Sequence, residues 1–334
     1  MLVSVIATVR NERSSVERLL DSLLAQSRRP DEIVIADGAS TDGTLAVLER
    51  YAQCHGVRVL SQPCNIAEGR NLGIRAASGT HIAVTDAGCL VDPDWLRELL
   101  ARFDADEAVD VVAGNFRFET HNDFEQASVL GTFQPNRDAT EAARYYPSSR
   151  SLAFKKSAWE LAGGYPEWLY AAEDTLFNIR LRQVGCRFEF AQRAVVRWRP
   201  RETWAKLARQ RVNFARGNGR VGIGTEGYMK NLSIHGSALA LAVLAFVVPL
   251  AGLAALGVLA WHVRSHLWPQ ARAVTPVWSM RVRVMLVMEF VRLVSMVGFL
   301  QGRWDRLRDP RFIERQRQYM QVRSVRELEA RGVA

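Results

Sequence analysis

The sequence predicts a doubly wound α/β domain with a mainly parallel sheet, followed by C-terminal membrane helices. Strand-like and helix-like segments alternate up to about residue 118. The strand-like segments are almost wholly apolar, which is typical of strands that helices cover on both faces. After residue 231, long uncharged runs replace this alternation. Ligands of doubly wound folds bind beyond the carboxyl ends of the strands, so we expect functional residues directly after the strands.

Local patterns predict each element of this domain. Residues 1–9 are apolar, lack a preceding basic region and end at Arg10-Asn11-Glu12, which predicts a buried strand rather than a signal peptide. Leu19, Leu20, Leu23 and Leu24 share one helical face. Between residues 119 and 146 the pattern weakens, and we expect an irregular segment near the acceptor site. The predicted strands cover residues 2–8, 32–36, 57–60, 81–85 and 109–113, and the predicted helices cover residues 14–26, 41–52, 66–77, 93–103, 173–184 and 202–214.

Two apolar runs in the second half of the chain predict contact with a membrane. Residues 237–261 are uncharged and, at about 1.5 Å per helical residue, long enough to cross a hydrocarbon core of about 30 Å. Residues 282–300 are also apolar, but Arg283, Glu289 and Arg292 interrupt them. A charge at the bilayer centre costs about 3 kcal/mol on insertion scales, although Glu289 and Arg292 are one helical turn apart and able to pair. This second run either spans the bilayer or lies in its interface.

The charge distribution predicts the orientation of the chain. Formal net charge is +9, and nine arginines fall between Arg303 and Arg331, directly after the apolar runs. This clustering favours a membrane surface, and the lack of a nucleic-acid motif excludes nucleic acid. The intervening loop carries only Arg264 and Arg272, so the positive-inside rule predicts a two-span hairpin. We expect a cytoplasmic domain over residues 1–225, a membrane-associated helical hairpin over 226–302 and a basic cytoplasmic tail over 303–334.

Neither the cysteines nor the histidines predict a metal site. The four cysteines form no Cys-x-x-Cys pair, and the six histidines are scattered without metal-ligand spacing. We expect the cysteines to be reduced and structural.

The segment over residues 37–44 is the most informative part of the chain. Asp37 directly follows an apolar strand and supplies a carboxylate for ribose or base recognition. A flexible turn and the amino end of a helix follow it. An ordinary strand–turn–helix connection accounts equally well for residues 40–44, but it does not account for Asp37. Polar residues also follow two other strands, at residues 8–12 and at Asp86-Ala87-Gly88.

This set of motifs resembles the family 2 glycosyltransferases of GT-A fold, specifically their membrane-associated bacterial members. Residues 3–12 look like the family's opening strand and turn, and residues 37–44 look like its Asp-Gly-Ser-Thr-Asp-Gly-Thr signature. Residues 65–71 are similar to its next helix, and Asp86 falls where its Asp-x-Asp motif begins. Glu173-Asp174, eight residues after Gly163-Gly164-Tyr165, is similar to its Glu-Asp pair. The resemblance runs in unbroken order over about residues 2–220.

The resemblance implies a nucleotide-sugar-dependent, inverting transferase at the cytoplasmic face of the inner membrane. Its partners would be a nucleotide-diphosphate sugar, a saccharide or lipid-linked acceptor and membrane lipids, and its cofactor would be Mg²⁺ or Mn²⁺. Asp174 would be the general base, with Glu173 beside it at the catalytic site. The implied nucleotide-sugar-binding residues are Thr8, Arg10, Glu12, Asp37, Arg70, Asp86 and Arg216, of which Asp86 would also hold the metal.

Two departures from the family pattern qualify these roles. Asp86-Ala87-Gly88 lacks the second carboxylate of Asp-x-Asp, so Asp92, a later residue or arginines would have to substitute. The basic run over residues 209–220, which includes Arg216, resembles the part that closes over the donor diphosphate, but a juxtamembrane patch on lipid headgroups explains it equally well. It matches the Gln-x-x-Arg-Trp motif of processive synthases poorly, which favours a single-transfer enzyme.

Two other functions fit parts of the sequence. A sugar-phosphate nucleotidylyltransferase has a related α/β core but should open with a Gly-x-Gly-Thr-Arg turn, where this chain has Thr8-Val9-Arg10-Asn11-Glu12. A non-catalytic scaffold for polysaccharide assembly is the other alternative. The missing second Asp favours it weakly, whereas intact Asp37, Asp86 and Asp174 argue against it.

Overall fold

The computed structural model describes residues 1–133 and 147–321. The chain divides into two compact units. Unit 1 comprises the described residues of Met1–Glu119, Asp138–Arg199 and Arg315–Ala334, and unit 2 comprises those of Thr120–Arg137 and Pro200–Glu314. The strands are β1 Val3–Val9, β2 Glu32–Asp37, β3 Arg58–Ser61, β4 His81–Asp86, β5 Cys89–Val91, β6 Val111–Phe118, β7 Leu152–Lys155 and β8 Phe188–Trp198. The helices are α1 Val16–Leu24, α2 Thr44–His55, α3 Ile66–Ala76, α4 Trp95–Ala105, α5 Asp123–Thr132, α6 Lys156–Ala162, α7 Glu173–Gln183, α8 Trp204–Val221, α9 Thr225–Leu244, α10 Leu250–His262, α11 Trp268–Val274, α12 Trp278–Arg308 and α13 Arg311–Met320.

The described part of unit 1 is built on an eight-stranded sheet of order β3-β2-β1-β4-β7-β6-β8-β5. Strands β3, β2, β1 and β4 are mutually parallel, whereas β7 lies antiparallel to both β4 and β6. The chain builds β1, β2 and β3 outward in one direction and then crosses back to place β4 on the other side of β1. This confirms the doubly wound, mainly parallel sheet, and in such folds ligands bind where the strand order reverses, which here is the carboxyl end of β1.

The predicted strands are all present, with ends that differ from the predictions by a few residues. Strands β5, β7 and β8 were not predicted from the sequence. Strands β5 and β7 are short, with three and four residues, whereas β8 has 11 residues in which three charged side chains interrupt the apolar pattern, Glu189, Arg193 and Arg197. The segment after residue 119 is not wholly irregular, since α5 occupies Asp123–Thr132. The side chain of Asn122 accepts a hydrogen bond from Glu125 N at 2.8 Å and caps this helix. Residues 134–146 of that segment lie outside the described residues.

Helix α3 packs closely against strand β1. A Cβ on Gly73 would lie 2.6 Å from Ile6 Cγ2, and a Cβ on Gly69 would lie 2.9 Å from Thr8 Cγ2. Only glycine allows the helix to approach the strand this closely. Arg70, next to one of these glycines, is therefore carried against the sheet and is 2 % exposed.

Unit 2 is helical, and its helices correct the prediction of one continuous span over residues 237–261. Helix α9 ends at Leu244 and α10 begins at Leu250, so the apolar run is broken into two helices that pack against each other. Pro249 stands at the break, where it lacks the N–H that would continue the helix. Within the described residues, one helix is long and apolar enough to cross a bilayer, and it is α12, which contains the second predicted run.

The histidines also differ from the sequence prediction. His235, His262 and His266, which are scattered along the sequence, lie close together in unit 2, with neighbouring ring centroids 5.2 and 5.3 Å apart.

Candidate functional site

Asp37 ends β2 and is fully buried at the carboxyl edge of the sheet. Its Oδ1 accepts a hydrogen bond from Ser40 Oγ at 2.5 Å, and its Oδ2 accepts one from Ser61 Oγ at 2.7 Å. These two hydroxyls fix the orientation of the carboxylate before any ligand binds. Because each carboxylate oxygen accepts more than one hydrogen bond, Asp37 retains capacity for a ribose hydroxyl or a base N–H.

The loop after β1 is interlocked with the loop after β2. Asn11 has a positive φ of 56°, and its Oδ1 accepts a hydrogen bond from Thr41 N at 2.8 Å. The Arg10 side chain lies over Gly38, where an added Cβ would approach Arg10 Cδ to 3.3 Å. Glu12 donates its backbone N–H to Thr44 Oγ1 at 2.9 Å. The two motifs that the sequence separates by about thirty residues therefore form one rigid rim.

Arg70 joins two carboxylates that come from distant parts of the chain. Its Nη2 donates to Asp86 Oδ1 at 2.7 Å, and its Nη1 donates to Glu173 Oε1 at 2.8 Å. Burial by itself lowers the pKa of Arg70, but the charges of Asp86 and Glu173 outweigh burial and raise it. The guanidinium is therefore a permanent positive charge between the ends of β4 and α7.

The Glu173-Asp174 pair begins α7, and its two carboxylates have different environments. The pKa of Glu173 is raised to about 7, because burial and, to a smaller extent, the charge of Asp174 raise it more than the Arg70 guanidinium lowers it. Glu173 is 6 % exposed, whereas Asp174 is partly exposed and accepts a hydrogen bond from Thr175 N at 2.7 Å. Glu173 is thus buried against Arg70, and Asp174 is the more accessible carboxylate of the pair.

Arg150 is a site residue that sequence reasoning missed. Its Nε lies 3.8 Å from Asp86 Oδ2, and its guanidinium stacks 4.1 Å from the centre of the Trp198 ring. The position precedes β7 and matches none of the motifs that the sequence analysis used, so no local signal marks it. With Arg70, it gives the Asp86 carboxylate two cationic neighbours.

The fit of a divalent cation to this edge depends on Asp86. Its Oδ1 accepts a hydrogen bond from Arg70, while Oδ2 lies 3.8 Å from Arg150 Nε, beyond hydrogen-bond distance, so a cation at Oδ2 would also lie beside the Arg150 guanidinium. Asp92, the nearest candidate for a second carboxylate in the sequence, pairs instead with Arg197 at 2.8 Å. Mg²⁺ is commonly held by one or two carboxylates together with substrate phosphates, so one carboxylate is a sufficient protein contribution. The residues present fit a cation that binds together with a phosphorylated ligand.

Asn71 positions the loop that leads to Glu173. Its Nδ2 donates to Tyr165 O at 2.8 Å, and its Oδ1 accepts from Tyr165 N at 2.9 Å and from Trp159 Nε1 at 3.0 Å. Trp159 is therefore a core residue. These bonds attach the Gly163-Gly164-Tyr165 turn to α3, the same helix that carries Arg70.

The strand order brings Asp37 and Asp86 to the same edge of the sheet. Val9 pairs with Asp37 and Thr8 pairs with Asp86, on opposite sides of β1. Because neighbouring strands are about 4.8 Å apart, the backbones at Asp37 and Asp86 are about 10 Å apart. Arg216 lies in unit 2, where it donates to Asp305 at 2.7 and 2.9 Å.

Comparison with known proteins identifies relatives of this chain. A family model described as "Glycosyl transferase family 2" matches residues 4–161. The glycosyltransferase AglE of Haloferax volcanii is 24% identical over 222 residues, covering 64% of this chain and 72% of that protein. A poly-beta-1,6-N-acetyl-D-glucosamine synthase of Staphylococcus epidermidis is 25% identical over 228 residues, covering 66% of this chain. The chain spans 55% of the length of that synthase.

A solved structure supports the fold over most of the chain. The mannosyltransferase PcManGT from Pyrobaculum calidifontis, solved with GDP-Man and Mn²⁺, superposes with a TM-score of 0.60 at 22% identity. The match covers 91% of this chain and 87% of that protein. At this identity the likeness establishes the fold, which is the GT-A-type fold that the sequence predicts.

Proposed function

The chain belongs to glycosyltransferase family 2, and we propose that it moves a sugar from a nucleotide-diphosphate sugar to a hydroxyl acceptor, with inversion at the sugar carbon. One observation carries the proposal. Arg70 holds Asp86 and Glu173 at the edge of the sheet where Asp37 ends β2. Carboxylates at the ends of parallel strands suit the hydroxyls of a nucleoside, and the neighbouring arginines suit a diphosphate. A nucleotide-diphosphate sugar carries both groups.

The rim formed by the first two loops would hold the nucleoside end of the donor. Asp37, already oriented by Ser40 and Ser61, would accept hydrogen bonds from the ribose or the base. Thr8, Arg10 and Glu12 belong to the adjoining strand end and turn. Arg70 and Arg150 would lie towards the diphosphate, where positive charge stabilises the leaving group as it departs.

Asp174 would act as the general base. A hydroxyl is a weak nucleophile at neutral pH, and a positioned base typically contributes about 10²- to 10⁴-fold. The acceptor O–H bond breaks and its proton passes to Asp174 while the acceptor oxygen forms a bond to the sugar carbon. The bond from that carbon to the diphosphate breaks in the same step, and the nucleoside diphosphate takes the electron pair. Glu173 would position α7 through its ion pair with Arg70.

Asp86 would hold a divalent cation, Mg²⁺ or Mn²⁺, together with the phosphates of the donor. Its Oδ1 accepts a hydrogen bond from Arg70, and its Oδ2 lies beyond hydrogen-bond distance of Arg150 Nε. Such a cation, when bound, neutralises negative charge on the leaving diphosphate. Arg216 would contribute to diphosphate binding only by exchanging its present contact with Asp305.

Exposed apolar side chains support a membrane location and a lipid-linked or polysaccharide-precursor acceptor. Phe246 is 92% exposed and Val247 is 81% exposed, at the turn between α9 and α10. Exposed apolar groups clustered in this way mark a surface that contacts lipid or another protein. We propose that this surface contacts the inner membrane and that the catalytic unit faces the cytoplasm, with the basic C-terminal segment on the same side.

Nucleotide release by the full-length, detergent-solubilised chain tests the proposed activity. UDP-, GDP- and dTDP-sugars would be supplied with Mn²⁺ or with EDTA, and the anomeric configuration of the product would be determined by NMR. We expect Asp174→Asn to lose about 10²- to 10⁴-fold in turnover. The matched control, Asp104→Asn, changes an exposed carboxylate on α4 and should retain parental turnover. Equal turnover of Asp174→Asn and the parent would exclude Asp174 as the base, and a retained anomeric configuration would exclude the single displacement.

A further inference from the structure

Three helices of unit 2 bring a histidine, a histidine and a glutamate to one point. His235 lies on α9, His262 ends α10 and Glu289 lies on α12. One potential ligand atom from each residue lies within 4.8 Å of those of the other two. His262 is 2 % exposed. All three residues belong to unit 2.

The hydrogen bonds of His235 leave one ring nitrogen turned towards the glutamate. Its Nδ1 lies 2.7 Å from the carbonyl oxygen of Asn231, which only accepts, so Nδ1 carries the proton. In a neutral ring, Nε2 then presents its lone pair to Glu289 Oε1, which it contacts directly. A histidine that donates one N–H to a backbone carbonyl while the other nitrogen faces inward has the usual orientation of a metal ligand.

His262 presents the same chemistry from the opposite side. Its Nε2 lies 3.1 Å from Glu289 Oε2 and 3.3 Å from Arg292 Nη1. The guanidinium only donates and the carboxylate only accepts, so these two contacts are compatible with either tautomer of His262. Two imidazole Nε2 atoms and a carboxylate therefore meet at one point, and a metal ion there would take the lone pairs of the two neutral rings. His262 Nδ1 is buried without a hydrogen-bond partner in the described part of the chain.

We propose that His235 Nε2, His262 Nε2 and the Glu289 carboxylate bind a zinc-type divalent metal ion. Zinc binds imidazole nitrogen and carboxylate oxygen at about 2.0–2.2 Å, so tetrahedral ligands stand about 3.3 Å apart. The observed 3.1 Å between His262 Nε2 and Glu289 Oε2 matches that spacing. Two histidines and one glutamate form a known zinc ligand set, with a fourth position left for water. Arg292 must move from His262 when the ion binds, and it has room because its side chain is only partly buried.

The metal ion would act as a structural clip. Its ligands come from α9, α10 and α12, which are separate helices joined by turns. The bound ion would therefore hold these three helices together. A π-helical turn, Val263–Leu267, directly follows His262. Such turns are rare and frequently occur at functional sites. This turn places His266 in a stack on His262, with centroids 5.3 Å apart, and thus supports one of the ligands.

Zinc binding to the full-length chain tests the proposal. The protein, purified without a polyhistidine tag, is stripped with EDTA and titrated with Zn²⁺ against a chromophoric chelator. We expect one tightly bound ion per chain, and affinity lower by at least about tenfold in His235→Gln, His262→Gln and Glu289→Gln. The matched controls are His55→Gln, an exposed histidine of α2, and Asp104→Asn, an exposed carboxylate of α4, and both should bind zinc like the parent.

Two further readouts keep the test decisive if a variant does not fold. Circular dichroism without metal shows which variants keep parental helix content. Co²⁺ added to the unmutated parent should give the visible absorption of a tetrahedral nitrogen- and oxygen-ligated site, and zinc should raise the parental melting temperature. Absence of the Co²⁺ absorption overturns the proposal, and so does zinc binding that survives in the folded His235→Gln and Glu289→Gln variants. Loss of zinc binding in either control variant would place the ion elsewhere and would also overturn the proposal.

Discussion

Arg70 and Glu173 form a buried ion pair, with 2.8 Å between Nη1 and Oε1, although 103 residues separate them in the chain. The same guanidinium reaches Asp86 at 2.7 Å through Nη2. A single side chain on α3 therefore connects the end of β4 to the start of α7. Without the guanidinium, the Asp86 carboxylate would lose the counter-charge that it contacts most closely.

Replacing Arg70 should destabilise the fold strongly. Arg70→Met leaves Asp86 and Glu173 without their buried counter-charge, and breaking such a pair typically costs about 3–5 kcal/mol. Arg75→Met on the same helix removes an exposed pair with Glu167 at 3.2 Å, which is worth less than about 1 kcal/mol. The free energies of unfolding in urea would measure both losses. Equal losses would show that the buried pairing contributes nothing specific to stability.

Glu173 should make stability depend on pH. Burial raises the pKa of Glu173 from 4.5 to about 7 in the folded chain, so between these values the native state holds a proton that the unfolded state has released. Stability therefore falls as pH rises through this window, by up to about 3 kcal/mol at pH above 7. Glu173→Gln should flatten this slope.

The slope would be measured by urea unfolding at several pH values between 4.5 and 8. Glu160→Gln is the matched control, because Glu160 is exposed on α6 and should leave the slope unchanged. An unchanged slope in Glu173→Gln would mean that Glu173 is ionised across the whole window.

Ala172 should be a strained position directly before Glu173-Asp174. Among the described residues, the non-glycine residues with positive φ are Asn11, Ala39 and Ala172, and each lies in a loop of the candidate site. For alanine this conformation costs about 1–2 kcal/mol. Ala172→Gly should therefore stabilise the fold by about 0.5–1 kcal/mol.

The control for this substitution is Ala101→Gly in the exposed interior of α4, which should destabilise by about 0.5–1 kcal/mol. Thermal unfolding would measure both changes. If both substitutions destabilise alike, the loop conformation carries no strain that glycine relieves.

Asp86 should determine the requirement for a divalent cation. If Asp86 holds the ion beside the donor diphosphate, Asp86→Asn should raise the Mn²⁺ concentration for half-maximal activity by at least about tenfold. Asp92→Asn should leave this concentration unchanged, since Asp92 pairs with Arg197. A Mn²⁺ titration of sugar transfer would measure the shift. A shift in Asp92→Asn alone would assign the ion to Asp92.

The sequence by itself determined the strands of the parallel half-sheet and the order of its motifs. These features depend on neighbours within a few positions, because apolar runs form buried strands and helical spacing places leucines on one face. Asp37 and Asp86 were found in this way, since each directly follows a predicted strand, whereas Glu173-Asp174 was singled out by its resemblance to the family's Glu-Asp pair. The prediction of one continuous span over residues 237–261 was wrong. It counted the length of the uncharged run, but the run is divided into two helices at Pro249.

Only the tertiary structure decided which of these residues meet. Arg150 approaches Asp86 across 64 positions, and His235 reaches Glu289 across 54. Such pairings depend on strand order and helix packing, and the local sequence pattern does not predict them. The carboxylates are recognisable in the sequence because a strand end marks their place, whereas the arginine that joins them and the histidines of unit 2 become a site only when distant elements pack together.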